Sequence, residues 1–331
     1  INTNGTVNYI FGDQKKGSYA SVSDPNSADL TWETVSTWNV GLDLGFLNNR
    51  LNLTADAYVR DTKGMQTSGK KLPGAYGANE PKQNAANLRT KGWELMLTWN
   101  DAFKLANKPF RYNLSVGLAD NTSEITKFDN PSKILSDYYV GQKLGDIWGY
   151  VVDGLFRTDE EAANYNVDQT AVNFVINTAQ VNPGLHAGDM KFVDLDGDHT
   201  ISSGSNTADD PGDRKIIGNS LPRYTYSIQG GFDWYGFDFS IYLQGVGHQD
   251  WYPGTNSVFF WGPYARPYSS FIPRDFLSQV WSPENPDAYF PRPIGYLALG
   301  NNRSLGVVND RYLQNLAYCR VKNITVGYTI P

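Results

Sequence analysis

Trp38-Asn39-Val40-Gly41-Leu42-Asp43-Leu44-Gly45, then Phe46-Leu47-Asn48-Asn49, then Arg50-Leu51-Asn52-Leu53-Thr54-Ala55-Asp56-Ala57-Tyr58-Val59, is the stretch that decides the fold. In the first segment Trp38, Val40, Leu42 and Leu44 share one face, and Asn39, Gly41 and Asp43 share the other. In the last, Leu51, Leu53, Ala55, Ala57 and Val59 oppose Asn52, Thr54, Asp56 and Tyr58. A period of two with one apolar and one polar face is the mark of a strand between two different environments. The four residues between the segments form a short turn, so the pair predicts an antiparallel hairpin.

The same pattern recurs outward from this hairpin. Strands are expected at about 89–99, with Trp93, Leu95, Leu97 and Trp99 aligned, and at about 110–122, with Tyr112, Leu114, Val116 and Leu118 aligned. Further strands are expected near 223–232 (Tyr224, Tyr226, Ile228, Phe232), 237–246 (Phe237, Phe239, Ile241, Leu243) and 316–329 (Ile324, Val326, Tyr328). Short turns alternate with long connections at about 64–86, 123–221 and 247–315, the first punctuated by Pro73-Gly74 and Pro81. Thr158-Asp159-Glu160-Glu161 carries a capping-box pattern and predicts a short helix inside the longest connection.

Strands of similar length, tight turns on one rim and long loops on the other are what a transmembrane β-barrel requires. A soluble sandwich also alternates, but it has little reason to segregate its loop lengths. The expected fold is therefore all-β: part of a large antiparallel transmembrane β-barrel with short periplasmic turns and long extracellular loops. The opposite face, rich in Asn, Ser, Gly, Thr and Gln, suits a wet lumen. Seven strands make only part of such a barrel, since a lumen able to hold a plug needs roughly 22.

Composition narrows the function. The chain of 331 residues has a net charge of -6, which argues against nucleic acid as a partner. Charged residues are 19% and aromatics 14%, a balance that fits aromatic girdles or aromatic binding surfaces. Cys319 is the one cysteine, so no intrachain disulfide forms, and His186, His199 and His248 lack zinc spacing. No apolar run approaches the ~18 residues of a membrane helix. The mean hydropathy of -0.46 remains compatible with barrel strands, which hide their apolar face in every second residue.

Several motifs resemble the SusC/RagA-like branch of TonB-dependent outer-membrane transporters from Bacteroidetes. They are the hairpin at Trp38–Leu51, Gly92-Trp93-Glu94-Leu95, Val140-Gly141-Gln142-Lys143-Leu144-Gly145-Asp146-Ile147-Trp148-Gly149-Tyr150, and Gly188 through Asp198. Ile217 through Tyr224, Trp281-Ser282-Pro283-Glu284-Asn285-Pro286 and Arg320 through Pro331 add to them. The resemblance implies a partial barrel over 34–331, preceded by an extracellular loop segment at 1–33. It implies that the plug domain and last strands lie outside this sequence, which starts at Ile1 without a methionine. It also implies a SusD-like surface lipoprotein, an oligosaccharide or peptide ligand, contact with outer-membrane lipid, and a TonB-ExbB-ExbD energy complex acting through the plug.

Two groups of residues are candidates for a site. Asp194, Asp196 and Asp198 alternate through a turn, and with Thr200 and a distant Asp213 they offer oxygens of the kind calcium takes. The EF-hand pattern is incomplete: His199 stands at the sixth position, where glycine belongs, and Ser205 at the twelfth. A solvated turn is the competing reading. Aromatics at Trp148, Tyr150, Tyr252, Trp261 and Tyr264 could stack on sugar rings or meet a partner, or simply pack loop against loop. The acidic pairs Asp209-Asp210 and Glu160-Glu161 have no fixed spacing, and neither a Gly-x-Ser-x-Gly nor a Walker loop is present, so no enzyme is expected. Import of oligosaccharide or peptide is the expected function, with no cofactor required and calcium a candidate ligand of the 194–213 loop. The alternative is a secreted calcium-dependent all-β carbohydrate-binding module.

Overall fold

The computed structural model describes residues 2–11, 15–21, 27, 30–68, 80–172, 184–265, 272–300 and 303–330. In chain order the strands are β1 (Asn2–Phe11), β2 (Lys15–Ser21), β3 (Thr34–Phe46), β4 (Leu51–Ser68), β5 (Lys82–Leu105) and β6 (Lys108–Lys127). They continue with β7 (Asp146–Tyr150), β8 (Val152–Leu155), β9 (Met190–Phe192), β10 (Arg214–Asn219), β11 (Arg223–Trp234), β12 (Phe237–His248), β13 (Asp250–Trp251), β14 (Gln314–Asn315) and β15 (Tyr318–Tyr328). Helices α1 (Asp159–Ala163) and α2 (Val258–Trp261) lie in the long connections. Seven strands form one antiparallel sheet in the order β15-β12-β11-β6-β5-β4-β3, and these are the seven expected from the sequence. Strands β1 and β2 pair with each other.

Its register explains why the alternation persists through the chain. One cross-strand row runs Leu44, Leu53, Leu97, Val116, Ile228, Leu243, Val321. The neighbouring row, on the other face, runs Asp43, Thr54, Met96, Gly117, Ser227, Gln244, Arg320. A slip of one residue in any strand would swap the faces. The polar face is laced by side-chain hydrogen bonds, Thr54 to Asp43 at 2.6 Å and Thr90 with Ser123 at 2.7 Å among them.

No second layer covers the apolar face among the described residues. Leu42 is 53% exposed, Leu97 40%, Leu114 45% and Val326 72%, values a sandwich core would never show. Aromatic rings line its short-turn end. Phe103, Phe110, Phe232 and Phe239 succeed one another across four strands, with centroids 5.0, 5.4 and 5.5 Å apart. Trp38 and Trp93 stand toward the other end. The ion pair Arg223–Asp120 (2.6 Å) starts level with Trp93, which Asp120 faces across the ladder, and Arg89–Asp61 (2.7 Å) lies beyond both tryptophans. From Trp38 to Phe46 the apolar face runs nine residues, about the length of tilted strand that crosses an outer-membrane hydrocarbon band.

Two expectations change. Strands β4, β5 and β6 have 18, 24 and 20 residues, well beyond the roughly ten that cross lipid. Most of the described part of the connection read as a loop at 64–86 is ladder, because β4 and β5 stay paired to Ser68 and Lys82. Gly64, the expected start of that loop, takes φ +70 at a register shift between Thr62 and Met65, a bulge that lets pairing continue. Pro73-Gly74 lies outside the described residues. The short turns are tight, with Ala106 and Asn107 (φ 49 and 62) and Tyr235 and Gly236 (φ 50 and 85) in the left-handed conformation that two-residue hairpins demand.

In the full-length protein, Ile228→Lys at the middle of the apolar face is expected to cost roughly 2–4 kcal/mol of stability in lipid, and Gln229→Lys on the opposite face much less. Urea unfolding in vesicles, followed by heat-modifiable gel mobility, checks the pair; equal losses would mean that lipid does not touch the Ile228 side.

Candidate functional site

The apolar core missing from the sheet lies in the long connections. Trp261, Tyr312, Phe156, Phe192, Met190, Ile201 and Leu305 are fully buried there. The connections after β6 and after β12 build this core jointly. Strand β7 pairs with β10, β8 with β9, and β13 with β14. Tyr150 donates its N–H to Val308 at 2.9 Å and accepts from Asp310 at 3.1 Å. Arg292 grips the buried Asp189 through Nε at 2.6 Å and Nη2 at 3.3 Å. The expected helix at Thr158 is present: Thr158 caps Glu161 N–H at 3.1 Å, and the Glu161 carboxylate accepts the Arg157 N–H at 2.8 Å. The long loops are thus a folded domain standing on the long-loop rim of the sheet.

Most of the aromatic candidates belong to its frame. Tyr150 is buried edge-on to Phe192 at 5.9 Å. Trp261 has 0% exposure, donates Nε1–H to Gly254 at 3.1 Å and meets Tyr312 at 5.1 Å. Tyr264 donates to the Pro291 carbonyl at 2.7 Å. Tyr252 donates to Val307 at 2.8 Å and accepts from Asn309 at 3.1 Å. Burial pushes the Tyr252, Tyr264 and Tyr312 phenols far above their usual range. Trp148 is half-buried on β7 and donates to the Tyr139 hydroxyl at 3.3 Å. The most exposed aromatic of the described loops is none of these candidates: Phe259 is 99% exposed, beside Phe260 and Trp261, which pack into the core. The single turn of α2 separates it from Trp261, a distinction that the run Phe259-Phe260-Trp261 hides in the sequence.

The Asp-rich loop brings three of its five candidates together. Carboxylate oxygens of Asp194, Asp196 and Asp213 lie within 4.8 Å of one another. Asp213 is fully buried and accepts the N–H groups of Leu195 and Ser202, each at 2.7 Å. Burial pushes its carboxyl above the usual range, and Asp196 and Asp194 push the same way against those two bonds. Asp194 ends below the ordinary range: its desolvation is outweighed by the N–H groups of Gly197 (2.7 Å) and His199 (2.9 Å). Asp198 is outside the trio and accepts the Thr200 N–H at 2.7 Å. His199 takes φ +65, the left-handed turn that glycine would fill more easily.

A sheet with one apolar face turned to lipid and the other a polar wall, crowned by a folded loop domain, defines a section of a large β-barrel membrane protein. Comparison with known proteins agrees. The family described as "TonB dependent receptor-like, beta-barrel" matches residues 3–271, and the chain belongs to it. Barrels of this family reside in the bacterial outer membrane and are not enzymes. TonB-dependent receptor SusC of Bacteroides thetaiotaomicron is 28% identical over 98% of this chain and 29% of its own length. TonB-dependent receptor P39 of Formosa agariphila is 26% identical over 92% of this chain and 30% of its own. The structure of the RagAB peptide importer in its "open-open" state superposes with a TM-score of 0.63 at 19% identity, covering 98% of this chain and 31% of that one. The chain spans about a third or less of the relatives it matches.

Arg292→Met in the full-length protein leaves Asp189 buried without its cation, at a cost of about 3 kcal/mol, the lower end for a broken buried pair because Arg292 is partly exposed. Limited proteolysis at increasing urea reads it: the loop domain should become cleavable at lower urea. Unchanged protection would show that the pair holds nothing together.

Proposed function

We propose that this chain is the barrel part of a SusCD-type importer that takes oligosaccharide or peptide nutrients across the outer membrane. The observation that carries the reading is the inverted burial: apolar side chains outward on the sheet, polar ones on the opposite wall, and the hydrophobic core confined to the loops. A SusD-like lipoprotein would seat on those loops, and a TonB-ExbB-ExbD complex would supply energy through a plug domain. Residues 1–33 join the extracellular loops in this reading, supported by the Asn84 side chain, which accepts from Thr31 N–H at 2.8 Å and donates to its carbonyl at 2.9 Å.

Deleting the gene of the full-length protein should abolish uptake of at least one labelled oligosaccharide or oligopeptide, and loss of TonB should give the same defect. Full uptake of the whole panel by the deletion strain, or recovery of the protein as a secreted soluble monomer, would sink the reading and favour the carbohydrate-binding module.

The same reading gives the loop domain a structural calcium ion on Asp194, Asp196 and Asp213. Their proximity supports it, and so does the upward push that burial and the two neighbouring carboxylates give the Asp213 carboxyl, which a bound dication would oppose. Millimolar calcium added to chelator-treated protein should raise the melting temperature of the loop domain by several degrees, and Asp196→Ala should abolish the rise. No shift in the unmodified protein would retire the ion.

A further inference from the structure

Where the lipid-facing wall approaches the long-loop rim, it carries a band of charge. One cross-strand row runs Trp38, Val59, Lys91, Thr122. The next row outward is Ser36, Asp61, Arg89, Glu124, and the one beyond begins Thr34, Lys63. These rows continue the apolar face, because the row next to them toward the membrane centre is Val40, Ala57, Trp93, Asp120. Lys91 therefore stands level with Trp38 and directly beyond Trp93, at the depth where interfacial tryptophans mark the end of the acyl chains. The long-loop rim is the extracellular one, so the lipid beside this band is that of the outer leaflet.

Each acid in these rows already faces a cation. Asp61 accepts Arg89 through both oxygens, at 2.7 and 3.0 Å, and Asp120 accepts Arg223 Nε at 2.6 Å. Glu124 stands opposite Arg89 in the ladder and faces Lys143 across an isolated bridge. Lys63 and Lys91 are surplus to these pairs. Both are exposed, and the residues directly across from Lys91 on either side, Val59 and Thr122, are uncharged. We propose that the two lysines bind an acidic glycolipid of the outer leaflet, one with a phosphate beside its acyl chains and a second anion on its sugars. Such a lipid would sit on the outer wall whatever the barrel imports.

Charge and depth together select the lipid. Along β4, Lys63 lies four residues beyond Val59, the cross-strand neighbour of Lys91, so the two lysines are staggered by roughly 13 Å at about 3.3 Å per residue. A glycerophospholipid presents its phosphate at one depth and would engage Lys91 alone. A glycolipid presents a phosphate at that depth and further anions on the sugars above it, in the order Lys91, then Lys63. Lysine suits the position, because its stem lies along apolar surface while its ammonium reaches the headgroups as a point charge. The Thr34, Ser36 and Thr122 hydroxyls of the same rows both donate to and accept from sugar hydroxyls. The opposite face supplies a control. Arg60, between Val59 and Asp61, pairs with Thr37 and Thr90 at the same height on the polar wall, away from lipid.

The test uses the full-length protein, stripped of lipid in detergent, and native mass spectrometry to count the lipids bound per barrel. The probes are deep-rough lipopolysaccharide (lipid A bearing acidic sugars), phosphatidylglycerol and inorganic phosphate. The protein should retain lipopolysaccharide, and the double variant Lys63→Gln, Lys91→Gln should carry one molecule fewer at the same concentration. Arg60→Gln should leave the count unchanged. Phosphatidylglycerol should fill the position lost in the double variant at least tenfold more weakly, and millimolar phosphate should not empty it. Heat-modifiable gel mobility confirms that each variant has assembled. An equal count in the double variant, the same loss from Arg60→Gln, or no retained lipopolysaccharide overturns the proposal. So does a position that phosphatidylglycerol or free phosphate occupies as readily as the glycolipid.

Discussion

Hydrocarbon offers no hydrogen bonds, so every backbone donor and acceptor that crosses it must find a partner in the next strand. That constraint shapes the rest of this protein. It fixes the antiparallel ladder, and the ladder fixes which side chains share a row. Leu44, Leu53, Leu97, Val116, Ile228, Leu243 and Val321 are far apart in sequence yet share one level of the sheet. Because lipid solvates the apolar face, the sheet needs no layer packed upon it. Because the polar wall faces the other way, cross-strand bonds such as Thr98 with Ser115 at 3.2 Å can form there without burying unpaired groups.

Leaving the membrane removes the constraint, and the architecture changes at one level. The ion pairs Arg89–Asp61 and Arg223–Asp120 begin where Trp38 and Trp93 end the apolar face. Above them water competes for the backbone, and a domain must supply its own hydrophobic core to stay folded. The long connections do so with aromatic rings: Phe260, Trp261, Phe290 and Tyr312 contact one another edge-on or stacked at 4.8–6.4 Å. Both kinds of burial occur in one chain, lipid for the sheet and protein for the loops.

This division explains what was legible in the sequence. Period-two alternation depends on two solvents, and all seven strands could be read from it with their facing residues. Strand ends could not, because β4 and β5 continue past the lipid, where the alternation no longer has to hold; the connection expected to begin at Gly64 begins instead with a bulge inside the ladder. The aromatic candidates were ambiguous for a related reason. A tryptophan in a loop can bind a sugar or anchor a core, and composition does not distinguish the two. Trp261 and Phe259 are two residues apart, and only the turn of α2 sends one inward and the other out. Convergence of Asp213 on Asp194 and Asp196 across some twenty residues was likewise suggested by chemistry and needed the fold to bring the oxygens together.

Under the proposed import function, rigidity is what the loop core would contribute to recognition. An irregular connection of nearly a hundred residues would lose a large conformational entropy on gripping a ligand. Here most of that ordering accompanies folding: Arg292 ties the two long connections together at Asp189, Asn130 fixes the rim segment beside Phe128, and Asn219 and His248 share the buried Asp250 at 2.9 Å each. Exposed groups carried on such a frame meet a ligand or partner with little left to order. Loop length on this rim is therefore free to vary only as far as the shared core tolerates, with the inward aromatics holding the outward side chains in place.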